Sequence, residues 1–562
     1  MTLEVTLGIA LDGPHVGELA DLGVDETRVG TLVLGPEGLL RDLERRLGLT
    51  SDDAAHEARV ASYAERLEAV ARRHGGRLFW TEPFASDAPG TARTLLSWRD
   101  ALVLGGWNGG PLMNGSARLE ALAWAEAIGA TTDEPTVPSL PQGVCDRWVA
   151  VLAELDAGAR VPYTRVQIVD PLSRLSRRVR QVLHAITRQG VFVAQVSPTN
   201  DAASTRTDLG RMQHHVRHGG TVPWLEGDGS LLVVECATQA ELEIATESLL
   251  AQHADRAVLI DLHAAPPSQD MFDDVDRIHD PAALLRTREL VVVWGGGEDV
   301  AALPPPWTER ERSALRAASV ELADPDRERA GREEAARRMV LFATEQAVLM
   351  QLTGDPPHVL LGELAARAGG SLHAVTRSAA SFAGPRPHRA IAASSEPVRE
   401  WAIEVHELGG RLPLAAKDAD RMSIAVHAFF AADPLDLGTA QRIAVARRIL
   451  EARGLLGLND PAALVEAHER LRAWVLAARP DGTWRRDVPV GSRRHRGTID
   501  LFVASSRGAL VIDHRAFVDE REQALLRARN HATQLGVWAH RLGGTGVVHL
   551  PVPGCVVTLE RP

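Results

Sequence analysis

Two aspartates near the C-terminus interrupt runs that are otherwise apolar. Asp500 sits between Arg496-Gly497-Thr498-Ile499 and Leu501-Phe502-Val503, and Asp513 sits between Ala509-Leu510-Val511-Ile512 and His514-Arg515. Two β-branched and aliphatic runs separated by Ser505-Ser506-Arg507-Gly508 predict a β-hairpin, with the two carboxylates on neighbouring strands. A carboxylate in such surroundings must be paired, because its desolvation is otherwise too costly. A divalent metal, Mg²⁺ or Mn²⁺, is the obvious partner for two aspartates on adjacent strands. A metal held there polarises a phosphoryl group and helps to deprotonate water. Arg515, two residues beyond Asp513, projects to the same strand face and adds a cation for the charge that develops on phosphorus.

The elements that must hold these residues follow from periodicity. Ser423 to Phe430 reads as a helix with His427 among apolar neighbours, and further helices are expected from Thr439 to Arg453 and from Pro461 to Ala478. A strand, Arg486-Asp487-Val488-Pro489-Val490, leads into the hairpin. A long helix from Asp519 to Arg541 follows it, carrying Gln534, Leu535 and Trp538 at helical spacing. A final hairpin, Val547 to Leu550 and Val556 to Leu559, extends the sheet.

The rest of the chain alternates strand and helix. Thr31 to Leu34 reads as a strand, and Gly35-Pro36-Glu37-Gly38 then opens an amphipathic helix. Val166 to Val169 and Val191 to Ala194 flank the arginine-rich stretch 175–183 in a βαβ unit, and Trp98 and Trp107 read as core aromatics. Residues 199–229, with His214, His215 and His218, read as a polar linker rather than a metal site. Strands at 231–234, 257–260 and 289–294 build a second α/β segment, residues 304–350 read as charged helices, and 351–420 is rich in Gly, Pro, Ala and Ser. The expected division is 1–225, a first α/β domain; 226–350, a second; 351–420, a linker or helical region; and 421–562, the domain that carries the chemistry.

Composition narrows the function. The only lysine among 562 residues is Lys417, in a setting without the glycines of a phosphate loop, so no Walker A motif and no ATP chemistry is expected. Cys145, Cys236 and Cys555 are too few and too scattered for an iron–sulfur cluster or a disulfide framework, and they read as buried small hydrophobes. No run approaches a membrane span and no leader pattern opens the chain, so a cytoplasmic protein is the expectation. With a net charge of −12, DNA contact must come from local patches. Arg485 and Arg486, then Arg493, Arg494 and Arg496, bracket the strand before Asp500 and read either as phosphate contacts or as a solvated, charged hairpin edge.

Together these motifs resemble the PD-(D/E)XK nucleases of the RecB and AddB type. The matching positions are His427 on a helix, Gly497-Thr498-Ile499-Asp500, Asp513-His514-Arg515 and Gln534-Leu535, with Asp487-Val488-Pro489-Val490 similar to the strand that usually precedes them. The resemblance implies Asp500, Asp513 and His427 as metal ligands, Arg515 at the phosphate and Gln534 orienting the site. It also implies degenerate helicase-like α/β domains ahead of a C-terminal mixed sheet flanked by helices. Gly35 to Leu40 and Trp98 to Trp107 carry the likeness of the earlier region to a shortened AddB-type one. Such relatives process DNA ends, in repair or defence, beside a superfamily 1 helicase of the UvrD type. This chain departs from the family where Arg515 replaces the usual lysine, and arginine cannot serve as a general base. Two readings follow, a metal-dependent deoxyribonuclease or an inactive nuclease-fold subunit that binds DNA or scaffolds a helicase. A third, a small-molecule enzyme, rests only on the glycine turns at Gly35 and Gly295.

Overall fold

The computed structural model describes residues 3–17, 26–49, 55–74, 78–113, 115–130, 139–196, 205–219, 224–253, 256–262, 275–295, 306–353, 372–382, 402–413, 419–433, 438–491, 496–517 and 521–560. It is a mixed α/β protein with three sheets among those residues. None of the described helices is long and apolar enough to cross a membrane.

The first sheet is parallel, with β1 (Glu4–Leu7) between β3 (Thr31–Leu34) and β4 (Arg165–Ile168), and β5 (Phe192–Gln195) outside β4. The short strand β2 (Arg28–Val29) leaves this sheet for another. Parallel neighbours need crossover helices. After β3 comes α1 (Pro36–Leu47), whose Leu39, Leu40 and Leu43 pack with Val5, Leu7, Val166 and Ile168. Its N-terminus is closed by the chain's own anion: the Asp12 carboxylate accepts from Glu37 N (2.9 Å) and Gly38 N (2.6 Å). The Arg177–Arg188 helix joins β4 to β5 as the βαβ pattern predicts.

The second sheet is also parallel, in the order β11-β6-β10-β9-β7-β8, from β6 (Leu231–Cys236), β7 (Ala257–Asp261), β8 (Asp276–Ile278), β9 (Arg288–Trp294), β10 (Ala343–Leu352) and β11 (Thr376–Ser378). Two expectations are corrected here. The charged stretch 304–350 is helical only to Leu341, and then forms β10, whose Ala347-Val348-Leu349-Met350 is buried between β6 and β9. A short apolar run does not by itself distinguish a buried strand from a buried helix. Within the expected linker 199–229, Asp208–His218 is a helix, and Leu209 and Met212 join the core of this sheet. Buried Asp208 accepts backbone N–H bonds from Glu226, Gly227 and Asp228, which ties the following turn to that helix.

The third sheet positions the predicted chemistry. Its order is β12-β17-β16-β15-β14-β13-β2, with β12 (Ala402–Glu407), β13 (Thr483–Gly491), β14 (Arg496–Ala504), β15 (Ala509–His514), β16 (Gly544–Leu550) and β17 (Cys555–Glu560). Only β15 and β16 pair in parallel, and the Arg521–Arg541 helix makes the crossover between them. Ala528, Leu535 and Ala539 of that helix pack with Val511 and Val548, while Leu471 and Val475 of the Pro461–Ala478 helix pack with Leu501, Ile512 and Val547 in a second cluster. Gly497 lets the crossover helix approach: a Cβ there would lie 2.1 Å from the Trp538 ring. The stretch 351–420, expected to be linker or helix, supplies β11 and β12 to two different sheets. From the N-terminal region, β2 pairs with the end of β13, so the third sheet is built from both ends of the chain.

Candidate metal and phosphate site

The register of the third sheet aligns three carboxylates. Arg486 pairs with Leu501 and Val488 with Ile499, which leaves Asp487 opposite Asp500. Leu501 pairs with Ile512, so Asp500 falls opposite Asp513 one step further along the same two strands. Like charges facing one another across strands are unfavourable, and the backbone and side chains here show how the cost is distributed.

Asp513 is compensated by Arg515, whose Nε donates to its Oδ2 at 2.6 Å. The expected place of Arg515 is at a substrate phosphate; the fold brings it onto Asp513. Asp487 is buried and has φ of 46°, in the left-handed region that non-glycine residues seldom occupy. Its carbonyl accepts from Arg46 Nη2 at 3.1 Å, and its Oδ1 is 3.2 Å from Arg45 Nη1, both from α1. Its Oδ2 is buried without a hydrogen-bond partner among the described residues. Burial raises the Asp487 carboxyl above its ordinary range despite the pull of Arg45 and Arg46.

Asp500, in the middle, has the least compensation. No arginine among the described residues pairs with it; its Oδ2 accepts from His514 N at 2.7 Å and lies 3.6 Å from His427 Nδ1. Burial, and after it the field of Asp513, pushes its carboxyl up to about 8. Burial lowers His427, keeping the imidazole neutral and able to ligate. Behind them, fully buried His514 and His549 face each other with 3.0 Å between their Nδ1 atoms, and burial holds both below the usual histidine range.

Asp500, His427, His514 and Asp487 line one cleft of about 490 Å³. The same cleft is lined by Arg41, Glu44 and Arg45 of α1 and by Arg147 and Arg453. Asp513 and Arg515 are not among the residues lining it. Arg485 and Arg486 line a second cleft of about 470 Å³, with Trp484 and Arg160. Arg486 also donates to the Asp433 carbonyl, a structural contact. Gln534 lies on the Arg521–Arg541 helix, but its side chain is outside the described residues, as are Arg493, Arg494 and the side chain of Arg496.

The fit to a divalent ion is specific to one pair. Asp500 and His427 converge, Asp487 brings an orphaned buried oxygen to the same cleft, and a cation would offset the burial and the repulsion that raise Asp500. Mg²⁺ commonly keeps several waters and needs few protein ligands. Among the described residues, three ligand atoms converge only at Asp100, Cys145 and Asp146, and at His253, Glu289 and Glu345. The first of these groups is already neutralised by Arg59 and Arg99.

Sequence reasoning named Asp487 as part of a strand but gave it no role, although an aspartate breaking an apolar strand is the same signal that singled out Asp500 and Asp513. Nothing in the sequence joined α1 to this site. No protein-family model matches the chain, and no curated protein is detectably similar to it in sequence.

Proposed function

We propose that the chain is a metal-dependent phosphodiesterase subunit acting on DNA, with Asp500 and His427 as the metal-binding pair. One observation carries the proposal: a carboxylate pushed up to about 8 by burial and a second carboxylate, beside a neutral imidazole, in a cleft that arginines also line. Such a site is under-compensated without a cation and is relieved by one. Bound there, Mg²⁺ or Mn²⁺ would supply Lewis-acid polarisation of a phosphoryl oxygen and a lowered pKa for water. Asp500 must lose its proton to bind, His427 is already neutral, and Asp487 closes the floor of the cleft.

The test is cleavage of linear DNA by the purified protein in Mn²⁺. The expected result is cleavage that falls by ~100-fold or more in Asp500→Asn, in line with losing a metal ligand. Absence of Mn²⁺ binding to the parent by titration calorimetry would sink the reading.

A second reading, a non-catalytic subunit that binds DNA or scaffolds a helicase, is favoured by the Arg515–Asp513 contact, which ties down the cation expected at the phosphate. Arg515→Lys separates the two. Cleavage gained with lysine identifies a sound site disabled by arginine, whereas an inert lysine variant of a metal-binding, inert parent favours the scaffold. The resemblance of the motifs extends the proposal to a superfamily 1 helicase of the UvrD type as partner, tested by co-purification with a tagged chain.

A further inference from the structure

Part of the lining of the cleft that holds Asp500 belongs to the N-terminal region, and its docking is built. Arg46 of α1 is buried, pairs with Asp42, and donates to the carbonyls of Arg486 (3.2 Å) and Asp487 (3.1 Å) on β13. Arg448 donates to Leu47 O at the C-terminal end of α1 at 2.9 Å. Gly48, in the left-handed conformation at φ 64°, lies so close to the C-terminal region that a Cβ would be 3.2 Å from Ala432 and Val445. Strand β2 adds backbone pairing to β13. With α1 fixed in this way, Arg41 and Arg45, four residues apart and therefore on one helix face, both line the cleft.

Their partners leave them suited to an anion. Arg41 is 62% exposed and, among the described residues, holds only a surface i,i+4 contact with Glu37 at 2.6 Å, which a phosphate can replace at little cost. Arg45 bridges Asp42 (2.6 Å) and Asp487 (3.2 Å), is about a third exposed, and keeps a buried Nε without a partner. Glu44, between them, is neutralised by a bidentate contact with Arg147 (2.8 and 2.6 Å). The cleft is therefore lined by four arginines, Arg41, Arg45, Arg147 and Arg453, against three carboxylates, Glu44, Asp487 and Asp500, in a protein of net charge −12.

We infer that α1 is a phosphate-binding wall of this site, with Arg41 and Arg45 contacting DNA phosphates next to the one presented to Asp500. This rests on the phosphodiester reading above. The N-terminal region thereby contributes directly to substrate binding, and it supplies cations on the side of the cleft that Arg515, drawn onto Asp513, does not reach.

The experiment is fluorescence anisotropy of the full chain with a labelled blunt DNA duplex in Ca²⁺, across a series of salt concentrations, for the parent, Arg41→Glu, Arg45→Gln and Arg72→Glu. Arg72 is an equally exposed arginine, 65%, on the His56–His74 helix and away from the cleft. The expected result is a loss of affinity of about tenfold for Arg41→Glu and for Arg45→Gln, with the salt slope falling by about one for each lost phosphate contact. Arg72→Glu should bind like the parent. Because Arg45 also holds Asp487, Arg41→Glu carries the test if Arg45→Gln fails to fold. Parent-like affinity and slope in Arg41→Glu overturn the inference, and so does an equal loss in Arg72→Glu. Mn²⁺ titration of the same proteins keeps the two claims apart: a parent that binds Mn²⁺ through Asp500 while Arg41→Glu binds DNA normally leaves the metal reading standing and removes only the α1 wall.

Discussion

Two regions of this molecule each set three carboxylates against two arginines, with opposite results. In the N-terminal helices, Arg59 reaches Asp100 (2.8 Å) and Asp146 (3.2 Å), while Arg99 reaches Asp100 (3.0 Å), Glu126 (3.1 Å) and Asp146 (2.6 Å). Each guanidinium fork bridges several acids, and Cys145 hydrogen-bonds to Asp100 within the same network. Burial alone would raise Asp100, but the hydrogen bond and field of Arg59 outweigh it and the carboxyl lies below its ordinary range. In the third sheet, Arg45 and Arg515 serve only the outer carboxylates, and Asp500 between them is pushed up to about 8. Three ligand atoms converge in the first region and not in the second, yet the first is charge-satisfied. Proximity of acids thus does not by itself leave charge for a cation to compensate.

The largest effect expected from this contrast is on stability at the first region. Arg99→Ala, which leaves buried carboxylates unpaired, should cost about 3–5 kcal/mol in urea unfolding. A loss under about 1 kcal/mol would mean that the network is not what neutralises those acids. The opposite sign is expected in the third sheet. The Asp500 carboxyl is raised from 3.8 to about 8 in the folded state, so between those values the native chain holds a proton that the unfolded chain has lost. Stability therefore falls as pH rises through that window. Asp500→Asn does not titrate, and its advantage over the parent should grow by on the order of 2 kcal/mol from pH 5 to pH 8, after discounting for partial exposure. An advantage that is constant or shrinks with pH would break the comparison. Metal binding is tied to the same proton: Mn²⁺ must displace it from Asp500, so affinity should rise with pH, by up to about tenfold per unit below the carboxyl's value of about 8, and level off above it. Isothermal titration at several pH values checks this, and pH-independent binding would place the ion elsewhere.

Much of the third sheet was legible from local pattern. The Ser505–Gly508 turn, the apolar alternation on either side and the periodicity of the Arg521–Arg541 helix are short-range signals, and each element forms where they lie. The reason for Gly497, close approach of Trp538, needed the helix to be docked. The polar stretch around Asp208 concealed a helix because its stabilising contacts run to residues 226–228, beyond any window of local periodicity. Arg485 and Arg486 read as phosphate contacts or as a solvated, charged edge; in the fold Arg486 donates to the Asp433 carbonyl, and both arginines line a cleft apart from Asp500.

The sequence by itself determined that Asp500 and Asp513 lie on neighbouring strands, because a hairpin turn and the two-residue period of a strand are encoded within twenty residues. Only the tertiary structure decided what surrounds them. Arg515 turns to Asp513 rather than remaining free, Asp487 joins the row, and α1, some 440 residues away along the chain, brings Arg41 and Arg45 to the same cleft as Asp500. Charge compensation depends on which distant surfaces dock and how much water they exclude, and neither quantity is a property of any single stretch of chain.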